Sequence, residues 1–347
     1  TFNALLIGAD GRIEQIFSAR DKRPGKVDYR LDGKGRALVP GLIDNHVRLN
    51  DLGFALLAAK GGAADMPRGR PRPEDRDLAF SLAQDALLER GITTVADMGT
   101  TIEDWQTYRR AGDSGRLRLR IVAYAADVAA MELIGGPGPT PWLYDDRLKL
   151  NGVLLVLDGS IADRTARLQA AYADAPGQQG TASLSDIQLR NLISRGAIDN
   201  FQVAIRAGGD GAIESALLAL EEVVPTYAGD RRWRIEGADV LAPGQAARLG
   251  AHGVTVSARM ERFAEETAML EARLGPQRLN GAKALKSLLD ARGSLVLASG
   301  APDSLPRPFR GMAAALSRAD EAGEPFGGRQ FQESNARGKA PAAPTHA

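Results

Sequence analysis

Residues 39–48 read VPGLIDNHVR, and this stretch decides how the rest of the chain is interpreted. A Pro-Gly turn at Pro40 and Gly41 is followed by a short apolar run that ends at His46, a pattern typical of a buried strand. We expect the later strands and helices to bring further side chains to the place where this strand stops.

The composition limits the classes of function. The chain has 347 residues, 44% hydrophobic and 25% charged, which is ordinary for a soluble globular protein of one large or two modest domains. Lys and Arg number 44 against 43 Asp and Glu, so we expect no nucleic-acid partner and no anionic membrane surface. No run of 18 apolar residues predicts a membrane span. The absence of cysteine excludes disulfides and thiolate metal sites and fits either the cytoplasm or the periplasm, so the compartment stays open.

Strand and helix patterns alternate from residue 39 onward. The predicted strands are the one that ends at residue 46 and residues 92–96, 119–125, 153–157, 201–205, 232–236, 254–257 and 294–298. The predicted helices are residues 73–90, 102–111, 185–196, 212–223, 243–250, 262–292 (with a break near Gly275-Pro276) and 310–322. Eight strands alternating with helices predict an α/β fold of the (β/α)8 TIM-barrel type, and a doubly wound open sheet is the alternative.

The domain boundaries follow from the same patterns. Residues 1–38 contain short strands and turn signals, which predict a small N-terminal β-sheet rather than an independent domain. Residues 39–326 make up the barrel, interrupted at residues 61–73 by an irregular connection rich in Gly, Pro and Arg. Residues 327–347 lack periodicity and are predicted to be disordered.

In such a barrel the side chains at the carboxyl ends of the strands face the mouth, where active sites of this fold are built. The side chains predicted at the mouth are those of His46, Asp97, Asp158, Arg206, Glu236, Ser257 and Ser299. The chain has only three histidines, His46, His252 and His346, and this scarcity limits any metal-site hypothesis.

Six motifs occur in the order typical of a known family. They are residues 39–48 (VPGLIDNHVR), 91–100 (GITTVADMGT), 157–180 (which begin LDGSIADRTARLQAAYADAPG), 201–210 (FQVAIRAGGD), 232–241 (RWRIEGADVL) and 297–302 (LASGAP). Together they resemble the amidohydrolase superfamily, in particular its amidohydrolase-3 branch, which includes N-substituted formamide deformylases. The resemblance covers about residues 5–328. It implies a divalent-metal (zinc) hydrolase of amide-type C–N bonds, a small-molecule substrate, a homodimer and an N-terminal sheet that is the remnant of a β-sandwich.

The same resemblance assigns the metal ligands to five strand ends, where the family has His-x-His, a lysine, two histidines and an aspartate that also transfers the proton. The residues at those positions here are His46 and Arg48 on the first strand, Leu154 on the fourth, Arg206 on the fifth, Gly237 on the sixth and Gly300 on the eighth. His46 is the one ligand type retained.

These substitutions predict a depleted metal site and weak or no activity. A catalytic zinc site needs about three protein ligands plus water, whereas a guanidinium is a permanent cation without a lone pair. Glycine supplies no side chain, and leucine cannot be carboxylated. The carboxylates considered as substitute ligands are Asp44, Asp158, Glu236, Asp239 and Asp303.

An alternative use of the pocket follows from charge. Arg48 and Arg206 could bind a small carboxylate or phosphate in bidentate fashion, which would make the protein a non-catalytic, anion-binding barrel. They could instead be neutralised by neighbouring carboxylates such as Asp158 or Glu236. The sequence leaves both readings open.

Three weaker signals complete the set of candidates. Gly208-Gly209-Asp210-Gly211 lies between a strand and a helix, where it could form a phosphate cradle or a simple turn. His252 lies at a helix-to-strand junction and is interpreted as a surface or capping histidine. Ser160 or Ser299 could pair with His46, but no spacing supports a catalytic arrangement.

Overall fold

The computed structural model describes residues 3–61 and 69–319, which divide into two compact units that meet in sequence at Pro40 and Gly41. The first unit contains the antiparallel strands β1 (Ala4–Ile7) and β2 (Ile13–Phe17). Gly11 in the connecting turn has a φ of +76°, in the left-handed region where glycine is favoured. The predicted small N-terminal sheet is therefore confirmed.

The second unit is built on eight parallel strands that pair in sequence order. They are β3 (Leu42–Val47), β4 (Ile92–Thr100), β5 (Arg120–Ala125), β6 (Leu148–Val156), β7 (Gln202–Ala207), β8 (Arg234–Gly237), β9 (Thr255–Arg259) and β10 (Ser294–Ala298). The sheet curls into a nearly closed barrel, so the (β/α)8 prediction is confirmed and the open doubly wound sheet is wrong.

The barrel closes between its first and last strands through both backbone and side-chain hydrogen bonds. The Gly300 N–H donates to the His46 carbonyl at 3.0 Å. The Asp44 carboxylate accepts the Ser299 N–H, also at 3.0 Å. Asp44 is thus a closure residue in this structure, and burial raises the pKa of its carboxyl.

Ten α-helices occupy the described part of this unit. They are α1 (Leu49–Gly61), α2 (Pro73–Leu88), α3 (Ile102–Asp113), α4 (Val128–Gly135), α5 (Asp186–Ile198), α6 (Asp210–Val223), α7 (Gln245–Ala251), α8 (Phe263–Arg278), α9 (Leu285–Asp290) and α10 (Pro308–Ser317), with a 3₁₀ turn at Leu279–Gly281. The predicted break within the long helical stretch is confirmed at Gly275, whose φ is +72°. None of the helices in the described ranges is long and apolar enough to cross a membrane.

Two helices were absent from the prediction, and one was too long. Helix α1 has no clear apolar stripe, because its apolar residues are spread around its circumference. Helix α4 has only eight residues, although Asp127 caps it by accepting the Ala130 N–H at 2.7 Å. Helix α10 ends at Ser317 rather than at residue 322. Residues 62–68 of the predicted irregular connection and the predicted disordered tail lie outside the described residues.

Alternation along the strands separates two groups of core residues. One side of the strands packs against the helices in a large apolar cluster. The other side forms a smaller cluster, which fills the barrel interior and consists of Ala96, Met98, Tyr124, Leu154 and Ala204. The bottom of the mouth is therefore a packed apolar layer that includes Leu154.

Candidate functional site

Two of the candidate residues, Leu154 and Arg48, contribute no polar group to the mouth. Leu154 is 8% exposed and belongs to the apolar layer of the barrel interior. Arg48 follows β3 and forms an ion pair with Asp51 of α1, with Nη1 and Oδ2 3.0 Å apart. Both of these side chains are about half exposed, so Arg48 is neutralised locally at the surface.

His46 and Glu236 form the first polar group of the mouth. The His46 Nδ1 lies 2.7 Å from the Glu236 Oε2, and the Arg234 Nε donates to the other carboxylate oxygen at 2.7 Å. Arg234 also donates to the Asn45 carbonyl at 2.8 Å and lies 5.3 Å from the centre of the Tyr124 ring. The Glu236 side chain is thus held between a permanent cation and an imidazole.

The ionised Glu236 carboxylate determines which ring nitrogen of His46 donates a hydrogen bond. Burial disfavours the charged form, but Arg234 and His46 outweigh it and lower the pKa of Glu236 to about 2. An ionised carboxylate only accepts hydrogen bonds, so the His46 Nδ1 donates to it, and the neutral tautomer that makes this bond has its lone pair on Nε2. Within residues 3–61 and 69–319, Nε2 has no hydrogen-bond partner.

The second polar group is centred on Asp239, just beyond β8. The Asp239 carboxylate contacts the Lys283 ammonium and the Arg206 Nη2, the latter at 3.3 Å. The Arg259 Nη2 lies 3.7 Å from the same carboxylate. Burial opposes ionisation here as well, but Lys283 and then the two arginines hold the pKa of Asp239 far below its ordinary value.

The two glycines at ligand positions lie against the guanidinium-bearing side chains of this second group. A Cβ built on Gly237 would fall within 3.0 Å of the Arg206 Nη1. A Cβ built on Gly300 would likewise fall within 3.0 Å of the Arg259 Cδ. Both glycines have left-handed backbones, with φ of +109° and +74°. The space beside each glycine is therefore filled by an arginine.

Asp158 organises a turn instead of facing the mouth as a free carboxylate. It accepts the N–H groups of Gly208 at 2.7 Å, Gly209 at 2.9 Å and Arg167 at 3.0 Å. Burial nevertheless raises its pKa. Because Asp158 uses the N–H groups of Gly208 and Gly209, the structure supports the simple turn over the phosphate cradle for residues 208–211.

Asp97 has a similar internal role. Its carboxylate accepts hydrogen bonds from the Leu49 N–H at 2.8 Å, the Thr100 hydroxyl at 2.6 Å and the Tyr108 hydroxyl at 2.9 Å. Burial raises the pKa of Asp97 to about 7, and the charge of Asp104 adds to the effect. Asp97 thus ties the start of α1 and the face of α3 to β4.

In the described part of the chain, none of the candidate serines is hydrogen-bonded to His46 as a catalytic nucleophile would be. Ser160 Oγ accepts the Ala162 N–H at 3.1 Å, and Ser299 Oγ accepts the Ala301 N–H at 3.0 Å. Ser257 Oγ is buried and has no hydrogen-bond partner among the described residues.

The other histidines lie away from this arrangement. His252 takes the C-cap position of α7, with Nε2 3.4 Å from a Glu221 carboxylate oxygen. His346 lies outside the described residues. Within the described ranges, no three His, Cys, Asp or Glu side chains are arranged so that they could hold a metal ion.

Sequence reasoning missed three cations of the mouth: Arg234, Arg259 and Lys283. Arg234 precedes Glu236 by two residues and Arg259 follows Ser257 by two, so the two-residue period of a strand puts each on the same face as a predicted mouth residue. That signal could have identified both. Lys283 follows the 3₁₀ turn after α8, and no local pattern marks it.

Comparison with known proteins gives the chain a family. A family model for the amidohydrolase-3 group, described as "Amidohydrolase family", matches residues 49–345. The Arabidopsis thaliana protein LONG AFTER FAR-RED 3 is 29% identical over 262 residues, which are 71% of this chain and 44% of that protein. YtcJ from Bacillus subtilis, whose name describes a candidate amidohydrolase, is 28% identical over 49% of this chain and 32% of its own length. The chain thus spans less than half of the length of either relative.

The fold has solved counterparts. The crystal structure of an uncharacterized metal-dependent hydrolase from Pyrococcus horikoshii superposes with a TM-score of 0.72 at 19% identity, over 87% of this chain and 77% of the other. This likeness concerns the fold alone. The match of the family model over most of the sequence, together with the eight-stranded barrel, confirms the amidohydrolase-3 prediction, while the closeness to formamide deformylases stays a prediction. The chain belongs to the amidohydrolase family.

Proposed function

We propose that this chain is an amidohydrolase-type protein in which metal-dependent hydrolysis of amide-type C–N bonds is weak or lost. Any hydrolysis that remains would depend on His46 held by Glu236. The observation that carries the proposal is the position of Arg206, whose guanidinium fills the space beside Gly237 and pairs with Asp239. In the family, Arg206 and Gly237 stand at positions of metal-ligating histidines.

The residues of the mouth do not fit a divalent metal. Of the six ligand positions implied by the family, only His46 offers a lone pair, and its Nδ1 is committed to Glu236. The remaining carboxylates are engaged as well: Asp239 contacts Lys283, and Asp158 binds backbone N–H groups. A hard or borderline cation would have to displace these partners to obtain the three or more ligands that it requires.

The cations of the mouth also disfavour the binding of a divalent metal. The guanidiniums of Arg206 and Arg259 and the ammonium of Lys283 surround the Asp239 carboxylate. A dication about 4 Å from one guanidinium would meet a pairwise repulsion of roughly 8 kcal/mol at an effective dielectric constant of about 20, and the Asp239 carboxylate that could offset it is already shared by three cations. Without a metal to activate water, the family's main source of rate acceleration is missing.

The His46–Glu236 pair is the remaining acid–base element. With Nδ1 donating to Glu236, Nε2 can accept a proton from water as the water oxygen adds to an acyl carbon. A positioned general base contributes typically about 10²–10⁴-fold in rate, far less than a metal-hydroxide mechanism achieves. We therefore propose small, activated acyl compounds as the substrate class.

The anion-binding alternative receives no support from the arrangement of charges. Arg48 pairs with Asp51 and Arg206 with Asp239, so both guanidiniums already have a carboxylate partner. The homodimer and the place in the deformylase branch remain proposals that the family suggests, whereas the zinc that the family also suggests does not fit the residues of the mouth. The curated relatives extend beyond the part that matches this chain, so the properties of those whole proteins come to it only as proposals.

Metal analysis and a hydrolysis assay test the proposal together. The purified protein is analysed by inductively coupled plasma mass spectrometry, and hydrolysis of an activated N-formyl anilide is followed with added zinc and with a chelator. We expect substoichiometric metal and equal rates under both conditions. Stoichiometric zinc with zinc-stimulated hydrolysis would refute the proposal.

Two histidine variants separate a real site from background. His46→Gln should abolish any chelator-resistant hydrolysis, because the amide cannot act as a general base at neutral pH. The matched control is His252→Gln, which alters a histidine at a helix cap and should leave the rate unchanged. Equal loss in both variants would argue against His46 as the base.

A further inference from the structure

Each of the two glycines at ligand positions is matched with an arginine from the preceding strand. Arg206 on β7 is opposite Glu236 in the ladder to β8, so its side chain reaches over Gly237, the next residue along. Arg259 ends β9 and is opposite Ala298 of β10, two residues before Gly300. In each pair, the long side chain takes the room that a Cβ on the glycine would need.

We infer that each arginine and its neighbouring glycine depend on each other, so that a change in one alters the effect of a change in the other. We call the two pairs exchanges: Arg206 with Gly237, and Arg259 with Gly300. Each guanidinium side chain replaces the side chain lost at the neighbouring glycine. The two arginines and Lys283 then converge on Asp239, which makes the mouth an ion-pair centre composed of the protein's own groups. This inference rests on the proposed function, because it assumes that the centre operates without a metal.

Each cation of the centre has a carboxylate partner, which explains why the centre can lie in a partly buried mouth. The cations are Lys283, Arg206 and Arg259. The Arg259 Nη1 pairs with the Asp303 Oδ2 at 3.0 Å, in addition to its contact with Asp239. Arg206 also donates to the Glu236 carbonyl at 3.1 Å, and its charge partly offsets the effect of burial on the pKa of Asp158. Every cation of the centre therefore contacts a carboxylate of the protein itself, so none of them needs an added anion.

The Arg206–Gly237 exchange predicts the stability cost of a substitution at Gly237. Gly237→Ala should be costly for two reasons: a left-handed backbone, and a collision with the Arg206 guanidinium, which can move away only by giving up its hydrogen bonds to the Glu236 carbonyl and Asp239. Shortening Arg206 to alanine removes the second reason and leaves the first. The penalty of Gly237→Ala should therefore be smaller in an Arg206→Ala background than in the wild type.

Gly99 provides a matched control for the backbone contribution. Its φ is +94°, close to that of Gly237, but the nearest atom to a Cβ built there is the Leu154 Cδ2 at 3.9 Å, an ordinary contact. Gly99→Ala should thus carry the cost of the left-handed backbone without a collision. Arg206→Ala should not change that cost.

The experiment is a double-mutant cycle read by thermal unfolding. We expect the melting-temperature loss caused by Gly237→Ala to fall by at least half in the Arg206→Ala background, while the loss caused by Gly99→Ala stays the same in both. Equal losses for Gly237→Ala in the two backgrounds would overturn the inference. If Gly237→Ala alone is insoluble, recovery of folded protein in the double variant supports the exchange, and failure to recover overturns it.

The second pair gives an independent cycle, in case Arg206→Ala itself fails to fold. Gly300→Ala should likewise be less damaging in an Arg259→Ala background, and equal damage in both backgrounds would remove this half of the inference. These stability cycles are separate from the metal and hydrolysis measurements. Bound zinc would refute the proposed function, whereas an absence of coupling would refute the exchange itself.

Discussion

Replacement of the Glu236 carboxylate by an amide tests the first polar group of the mouth. Glu236→Gln keeps the size of the side chain but removes the negative charge between Arg234 and His46. The Arg234 side chain is only 8% exposed, so the variant leaves its charge buried without an anionic partner. The Asn45 carbonyl and the Tyr124 ring would still contact the guanidinium, but neither carries a charge.

The magnitude follows from the pKa of Glu236. Lowering that pKa from 4.5 to about 2 corresponds to about 3 kcal/mol of folding free energy at neutral pH. Removing one partner of a buried ion pair typically costs about 3–5 kcal/mol, which agrees in order of magnitude. Because the folded-state pKa is depressed, this contribution is fully present above pH 4.5 and is lost as the pH falls toward 2.

Urea unfolding of wild type and Glu236→Gln across this pH range measures the difference. We expect the variant to be less stable by about 3 kcal/mol at pH 7 and the gap to narrow steadily below pH 4.5. Glu89→Gln is the surface control, since its carboxylate is mostly exposed and should contribute less than about 0.5 kcal/mol. A Glu236→Gln variant as stable as wild type at pH 7, or a gap independent of pH, would refute the reasoning.

Three further predictions concern the charges around the mouth and the closure of the barrel. Lys283→Met should lower the unfolding free energy by about 3 kcal/mol, because Asp239 loses a fully buried partner. Chemical denaturation measures the loss. A variant as stable as the wild type would argue against Lys283 as a stabilising partner of Asp239. Glu261 follows β9 and accepts the Arg307 N–H, and burial raises its pKa to about 7, so its ionisation should destabilise the fold as the pH rises from 4.5 through 7. The fall in wild-type stability between pH 5 and 8 should be smaller in Glu261→Gln, and identical falls would contradict the assignment. Asp158→Asn should cost about 1–3 kcal/mol, because the amide cannot accept all three N–H groups, Gly208 among them; hydrogen exchange at that amide should accelerate, and unchanged protection would count against the turn-organising role.

The fold could be predicted from the sequence because its signals are local and repeated. Apolar runs such as residues 201–205, each followed by an amphipathic segment, specify strands and helices without knowledge of their partners. Helix α1 escaped prediction because its buried face depends on packing against α2, not on an apolar stripe of its own. The short helix α4 depends on the Asp127 cap, a signal that is present in the sequence but weak by itself.

The mouth was predictable only in part. The strand ends predict His46, Arg206 and Glu236 at the mouth, because active sites of this fold are built at the carboxyl ends of the strands. The structure brings His46 to Glu236 and Arg206 to Asp239. The partners of those side chains depend on distances across the barrel. Lys283 is 44 residues away from Asp239 in sequence, and only the folded chain brings the two together.

The position of Asp239 inverts the usual layout of a metalloenzyme mouth. Where a metal centre has one cation surrounded by donor ligands, this barrel has one carboxylate surrounded by an ammonium and two guanidiniums. Both arrangements cross-link separate strands through a single central charge. They differ in the reagent that takes them apart: a chelator removes a metal, whereas strong acid would protonate the central anion of this barrel and so remove the cross-link.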